Sequence, residues 1–209
     1  MLTTPAPLPD FIGKVQWHHS IELPNGHIIK GDKPLAVMKQ QYDMTFGPLD
    51  LTGKSVLDLG TWNGAFAVEA ARRGAARVVA VDSITWRPPH TYGRAAFDFV
   101  VAASGYDVTG VELDLDASQL SLSHLGTFDY VLFLGVFYHL KDPIAALREI
   151  SKITGSALVI ETYWTDVLPP EPPAMIFYPG RELVDDPTNW WAPNLAFLRA
   201  QQTQICCYL

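Results

Sequence analysis

Ser55-Val-Leu-Asp-Leu-Gly60-Thr-Trp-Asn-Gly64 is a short apolar stretch that runs straight into a glycine turn. The residues that follow, GAFAVEAARR at 64–73, read as an alanine-rich helix that Gly74 can cap. Working outward, 77–81 (RVVAV) is a second strand ending in Asp82, and 93–104 (GRAAFDFVVAAS) is the next helix. A weaker strand is expected at 111–113 and a continuously apolar one over 128–136. Asp142 then caps a helix with Pro143 in its first position. Ile144, Leu147, Ile150 and Ile153 supply that helix with one apolar stripe, and 157–160 forms a fifth strand. Strands apolar on both faces, alternating with helices, predict an α/β fold with a doubly wound, mostly parallel sheet. Ligands of such sheets bind at the carboxyl ends of the strands.

Around this core, residues 1–48 read as an extension with a turn at Asn25-Gly26 and a helix from Pro34 to Met44. Residues 49–163 form the core. Residues 164–209 form a proline- and aromatic-rich lid, followed by a helix at 192–202. A lid of that length is expected to be a loop without structure of its own.

The 209 residues are 48% hydrophobic and 18% charged, which excludes a disordered chain. Fifteen basic against 22 acidic residues leave a net charge of -7, so binding to a phosphate backbone is disfavoured. Cys206 and Cys207 are adjacent and form neither a disulfide framework nor a zinc set. There is no basic, apolar leader at the start, and the longest apolar run, 130–138, is too short to span a bilayer. The expectation is a cytoplasmic protein without membrane contact.

The glycine turn lets the backbone approach a ligand, and the helix behind it offers unpaired N–H groups. A carboxylate at Asp82 can accept both hydroxyls of a ribose, and Asp116 stands where a side chain reaches an adenine amine. Two adenosine cofactors suit this plan. NAD needs G-x-G-x-x-G to admit its pyrophosphate, but here Trp62 occupies the place of the middle glycine. S-adenosyl-L-methionine carries no phosphate and is favoured, with S-adenosyl-L-homocysteine as product.

VLDLGTWNGAFAVEAARRGAARVVAVD resembles the first two motifs of class I S-adenosylmethionine-dependent methyltransferases. FDYVLFLGVFYHLKDPIAALREI and SALVIET resemble their fourth and fifth strands. GVFYHL and FYPGRELVDDPTNWWAPN look like the branch that includes the tRNA wobble-uridine carboxymethyltransferase and its uncharacterised relatives. The resemblance implies a Rossmann-like fold and a cofactor site of Asp58, Gly60, Trp62, Gly64, Asp82, Asp116, Ala117 and Gly135. It implies that Tyr138 and His139 face the methyl group and the acceptor. Two departures stand out. Trp62 replaces the usual middle glycine, and the sequence stops at QQTQICCYL, where the family fold continues into a helix and a two-strand hairpin. That missing hairpin would leave the fifth strand as an open edge. QICCYL is apolar enough to cover it within one chain or across a homodimer.

For chemistry, His139 is the expected general base and Tyr138 its companion in shaping the pocket, with Glu161 a weaker candidate. His18, His19, His27 and His90 match no metal pattern, so no metal is expected. Trp86, Trp164, Trp190 and Trp191 either line a substrate wall or pack the lid. Lys30, Arg87 and Arg181 read as surface cations. The expected function is methyl transfer to a small molecule or glycoconjugate. The alternatives are a tRNA wobble-uridine-modifying (carboxy)methyltransferase, a non-catalytic cofactor-binding subunit and, more remotely, an NAD oxidoreductase.

Overall fold

The computed structural model describes residues 8–90, 92–202 and 207–208. The chain divides into two compact units, residues 1–113 and 114–209.

In the first unit, β1 (Ile21–Glu22) and β2 (Ile28–Ile29) form an antiparallel hairpin closed at Asn25-Gly26. Gly26 takes a positive φ of 80°, and its N–H donates to the Leu23 carbonyl. Helix α1 (Leu35–Phe46) follows, burying Met38, Tyr42 and Phe46. Strand β3 (Ser55–Leu59) leads through the glycine turn into α2 (Ala65–Arg72), and β4 (Arg77–Asp82) pairs parallel with β3 in register from Ser55↔Arg77 to Leu59↔Val81. Helix α3 (Gly93–Ser104) connects β4 to β5 (Thr109–Glu112), also parallel. Val56, Leu57, Leu59, Ala80 and Val81 have no exposed surface, as strands covered on both faces require.

In the second unit, β6 (Phe128–Leu134) and β7 (Thr154–Glu161) are parallel and joined through α4 (Pro143–Ile153). Asp142 Oδ1 accepts the Ala145 N–H at 2.9 Å, and Pro143 occupies the first turn, as the sequence predicts. The buried stripe of α4 is Pro143, Ala146, Leu147, Ile150 and Ile153, with Ile144 only half-buried. Leu147 and Ile150 carry the apolar contact that the neighbouring residue was expected to share.

The largest difference from the sequence reading lies in 164–193. β8 (Met175–Phe177) and β9 (Trp191–Pro193) pair as an antiparallel ladder there, so the segment is anchored at both ends and is not a free loop. Alternation is too short in three-residue strands to register against the surrounding prolines. Helix α5 accordingly begins later than expected, at Leu195 (Leu195–Gln202), because 192–193 belong to β9. Finally β10 (Cys207–Tyr208) pairs parallel with β7, Cys207 opposite Leu158 and Tyr208 opposite Val159. Cys206 lies outside the described residues. Among those residues no helix is long and apolar enough to cross a membrane.

Gly64 makes a local requirement visible. It caps α2 at φ 86°, and a Cβ there would stand 2.9 Å from the Phe97 ring. A left-handed L-residue costs about 1–2 kcal/mol before any clash. Gly64→Ala should therefore lower the denaturation midpoint by at least that equivalent, and a wild-type midpoint in chemical unfolding would contradict this account.

Candidate functional site

The first unit gathers its candidate residues where β3 and β4 end. The Gly60 and Thr61 N–H groups both donate to the Val81 carbonyl, pinning the turn against the last residues of β4. Gly60 has φ 77°, and Trp62 has φ 54°, the left-handed conformation that a glycine would adopt freely. This strain is of the order of 1–3 kcal/mol and persists only when neighbours hold it. They do so at four points. The Trp62 N–H donates to Asp82 Oδ2 at 2.9 Å, and the Trp62 carbonyl accepts from Trp86 Nε1 at 2.8 Å. Its indole N–H reaches the Gln16 carbonyl at 3.3 Å, and its ring stacks on His18 at 5.0 Å. The departure from glycine is thus absorbed by conformation: backbone, not indole, meets Asp82.

Asp82 is buried, and its second oxygen accepts the Thr85 N–H at 3.0 Å. Two backbone donors aim the carboxylate and use about two of its roughly four lone-pair sites, leaving room for a ribose diol. Asp58 lies deeper, buried on β3. Thr61 Oγ1 donates to it at 2.7 Å, yet burial, reinforced by the Asp82 charge, pushes its carboxyl up to about 6. A carboxyl held near its titration point by desolvation is ready to ionise against a cation.

Two residues that sequence reasoning missed complete this half. Asn63 is fully buried, with neither amide atom partnered by protein, and Thr85 Oγ1 is likewise buried and unpartnered. Buried polar groups are ordinarily satisfied, so a donor and acceptor set without protein partners beside a glycine turn fits a polar ligand. The signal for Asn63 was its place in the turn, overshadowed there by Trp62. The aromatic candidates resolve differently. Trp86 is a buried packing residue against Phe97, with the Arg94 guanidinium 4.6 Å over its ring. His18 and His90 both pack on Trp62, and His19, buried, is held neutral with its pKa lowered to about 3. Among the described residues no cluster of acidic, histidine or cysteine side chains could hold a metal.

The second unit brings the remaining candidates to the ends of β6 and β7. Gly135 sits at φ 70°, its N–H donating to the Glu161 carbonyl at 3.0 Å. A Cβ at Gly135 would lie 3.3 Å from the Tyr138 hydroxyl and 3.4 Å from Glu161 Oε2, so both groups converge on it. Tyr138 stacks obliquely between His139, at 4.4 Å, and Tyr163, at 4.5 Å. Burial and the Glu161 charge raise the Tyr138 phenol well above its ordinary range, so it stays protonated. His139 is half-buried and its pKa is lowered, chiefly by that burial, against the pull of Thr188 and Asp186. At neutral pH its imidazole is therefore neutral.

Asp116 accepts the Lys141 N–H at 2.7 Å and takes its own N–H to Asp114 Oδ1 at 2.9 Å. It thus anchors the loop after Tyr138 and His139 with one oxygen. Ala117 beside it is exposed. Trp190 and Trp191 donate their indole N–H groups to the Pro187 and Leu140 carbonyls, which makes them packing residues of this segment, while Trp164 is exposed. Arg87 and Arg181 are ion-paired with Glu112 and Asp185.

The family model described as "Methyltransferase domain" matches residues 37–208. The tRNA U34 carboxymethyltransferase of Dichelobacter nodosus is 33% identical over 150 residues, 71% of this chain and 44% of the relative. The ribosomal protein L11 methyltransferase of Deinococcus radiodurans is 30% identical over 123 residues, 59% of this chain and 43% of the relative. The chain spans less than half the length of these curated relatives. Among solved structures, the N-terminal domain of EvdMO1 with SAH bound superposes with a TM-score of 0.58 at 20% identity, covering 90% of this chain and 81% of that one. The YcgJ protein of Bacillus subtilis gives 0.56 at 14% identity, covering 79% and 65%. These likenesses bear on the fold, and it is the family model, running through the glycine turn, both carboxylate-bearing strand ends and the Tyr138-His139 segment, that places the chain among the S-adenosylmethionine-dependent methyltransferases of class I.

Proposed function

We propose that the protein transfers a methyl group from S-adenosylmethionine to a small molecule or glycoconjugate. The observation that carries the cofactor half is the glycine turn whose Trp62 N–H aims the Asp82 carboxylate, with Asp58 buried beside it. In this reading Asp82 holds the ribose hydroxyls. Gly60, Trp62 and Gly64 pass the methionine portion by backbone, and Asp58, through its desolvated carboxyl, answers the cofactor's ammonium. Asn63 and Thr85 supply the unsatisfied polar groups. Asp116 and Ala117 border the adenine, and Gly135 leaves space for the reacting end. When bound, the cofactor supplies an electrophilic methyl carried on a sulfonium. The chain's own contribution is alignment, exclusion of water and a base. His139, neutral at working pH, accepts the proton that the acceptor's nucleophile gives up, while Tyr138 and Tyr163 wall the pocket.

Charge supports this choice of acceptor class. The net charge of -7 repels a polyanion. Many cations are already committed: Lys39 to Glu22, Arg72 and Arg73 to Glu69, Arg87 to Glu112, and Arg94 to Asp98. A second reading, carboxymethyl transfer to a tRNA wobble uridine, is favoured by the 33% identity to an enzyme of that name. Filter binding with tRNA at low and moderate salt separates the two. Our reading expects no retained complex at either salt; a complex whose affinity falls steeply with salt, the mark of phosphate contacts, would replace it with the second reading.

The Asp58 carboxyl gives a pH prediction. Its pKa of about 6 in the free protein must drop when a cation binds beside it, so binding favours the ionised form. Affinity for S-adenosylhomocysteine should therefore rise between about pH 5 and about pH 6 and level off above, with protons released on binding. Asp58→Asn should flatten the profile. A flat profile in the wild-type protein would remove Asp58 from the cofactor's ammonium.

A further inference from the structure

The second unit holds a chain of groups behind His139 to which the reading above gives no role. His139 Nδ1 lies 2.8 Å from the Thr188 backbone carbonyl and 3.1 Å from Thr188 Oγ1. Thr188 Oγ1 in turn lies 2.7 Å from Asp186 Oδ1, and the Thr188 N–H donates to the same oxygen at 2.8 Å. Asp186 is stabilised in its charged form by these two bonds, the side-chain one foremost. The donor count then has one solution. A carboxylate only accepts, so the single hydroxyl hydrogen of Thr188 goes to Asp186. What Thr188 turns toward His139 is a carbonyl oxygen and a hydroxyl oxygen without its hydrogen, two acceptors. Nδ1 must therefore be the protonated nitrogen, and in the neutral ring Nε2 is left with a free lone pair.

We propose that Asp186 and Thr188 are positioning residues that hold His139 in its Nδ1–H tautomer, so that Nε2 is the nitrogen that takes the acceptor's proton. The proposal rests on the reading of His139 as the base and specifies how that base is set. When the acceptor's nucleophile gives up its proton, the bond from that proton to the nucleophile would break and one to Nε2 would form. The ring becomes an imidazolium whose Nδ1–H remains on Thr188 and whose charge is balanced by Asp186. The segment between β8 and β9 thereby carries a working part of the site, beyond covering it. The charged and titratable groups around the ring are Asp186 through Thr188, Tyr138 against its face, Tyr163 and Glu161 beyond Tyr138, and Arg181 beyond Asp186. Asp186 is the anion that acts on the imidazole itself.

Nitrogen-15 spectra of the histidine rings in the full chain, recorded without cofactor or acceptor, test this. His139→Gln assigns the signals. The neutral His139 ring should show a protonated Nδ1 and a bare Nε2, the reverse of the form that predominates for an isolated histidine in water. Asp186→Asn keeps both acceptor positions for Thr188 but removes the charge, and should lower the His139 titration midpoint. Asp186→Glu should restore it in part. A protonated Nε2 in the neutral wild-type ring, or an unchanged midpoint in Asp186→Asn, overturns the proposal. Because no ligand is present, either result speaks to the relay alone. Unaltered turnover of His139→Gln would instead remove the base reading on which the relay's purpose rests.

Discussion

A single hydrogen bond, from the Trp62 backbone N–H to Asp82 Oδ2, sets the geometry on which the cofactor half depends. It joins the turn after β3 to the carboxylate at the end of β4. It also holds a tryptophan in a backbone region that L-residues enter at a cost. Supporting bonds from Trp86 and the stack on His18 keep the large side chain engaged with its own surroundings. The consequence is a turn that works as a glycine turn does while presenting an aromatic residue, and a carboxylate whose remaining lone pairs are aimed by two fixed donors.

Electrostatics in the two halves run in opposite directions, both through burial. Desolvation pushes the Asp58 carboxyl up to about 6, so that it is partly protonated just below neutrality and a cation beside it favours the ionised form. Desolvation lowers His139, so that it stands neutral and basic at physiological pH. Each group is thereby shifted toward the state in which it can respond to a ligand charge or a moving proton. Tyr138, kept protonated by burial, offers a hydroxyl beside Gly135 and no competing base.

Much of this was legible in the sequence because the informative residues have few physical uses. Gly60 and Gly64 at a strand-to-helix turn, Asp82 at a strand end, and Asp142-Pro143 at a helix start each imply one backbone state, and each is found in it. What escaped reading depends on contacts distant in sequence. β8 and β9 are three residues each, and nothing local reveals that Met175 will face Pro193. Asn63 looks like an ordinary turn residue until its burial is known. Thr188 and Asp186 gain meaning only when the chain folds back to place them behind His139, 49 residues apart from Thr188. Trp190 and Trp191, open in the sequence to a substrate wall, have their indole N–H groups taken by backbone carbonyls.

The central claim of the proposed function is that Asp82 holds an adenosine through its sugar. Isothermal titration of S-adenosylhomocysteine into the wild-type protein and into Asp82→Ala measures this most directly. Hydrogen bonds to a charged group contribute about 1.5–3 kcal/mol each, so the account predicts binding by the wild type and a loss of at least about tenfold in the variant. Equal affinity in a folded Asp82→Ala, or no binding by the wild type, would contradict it.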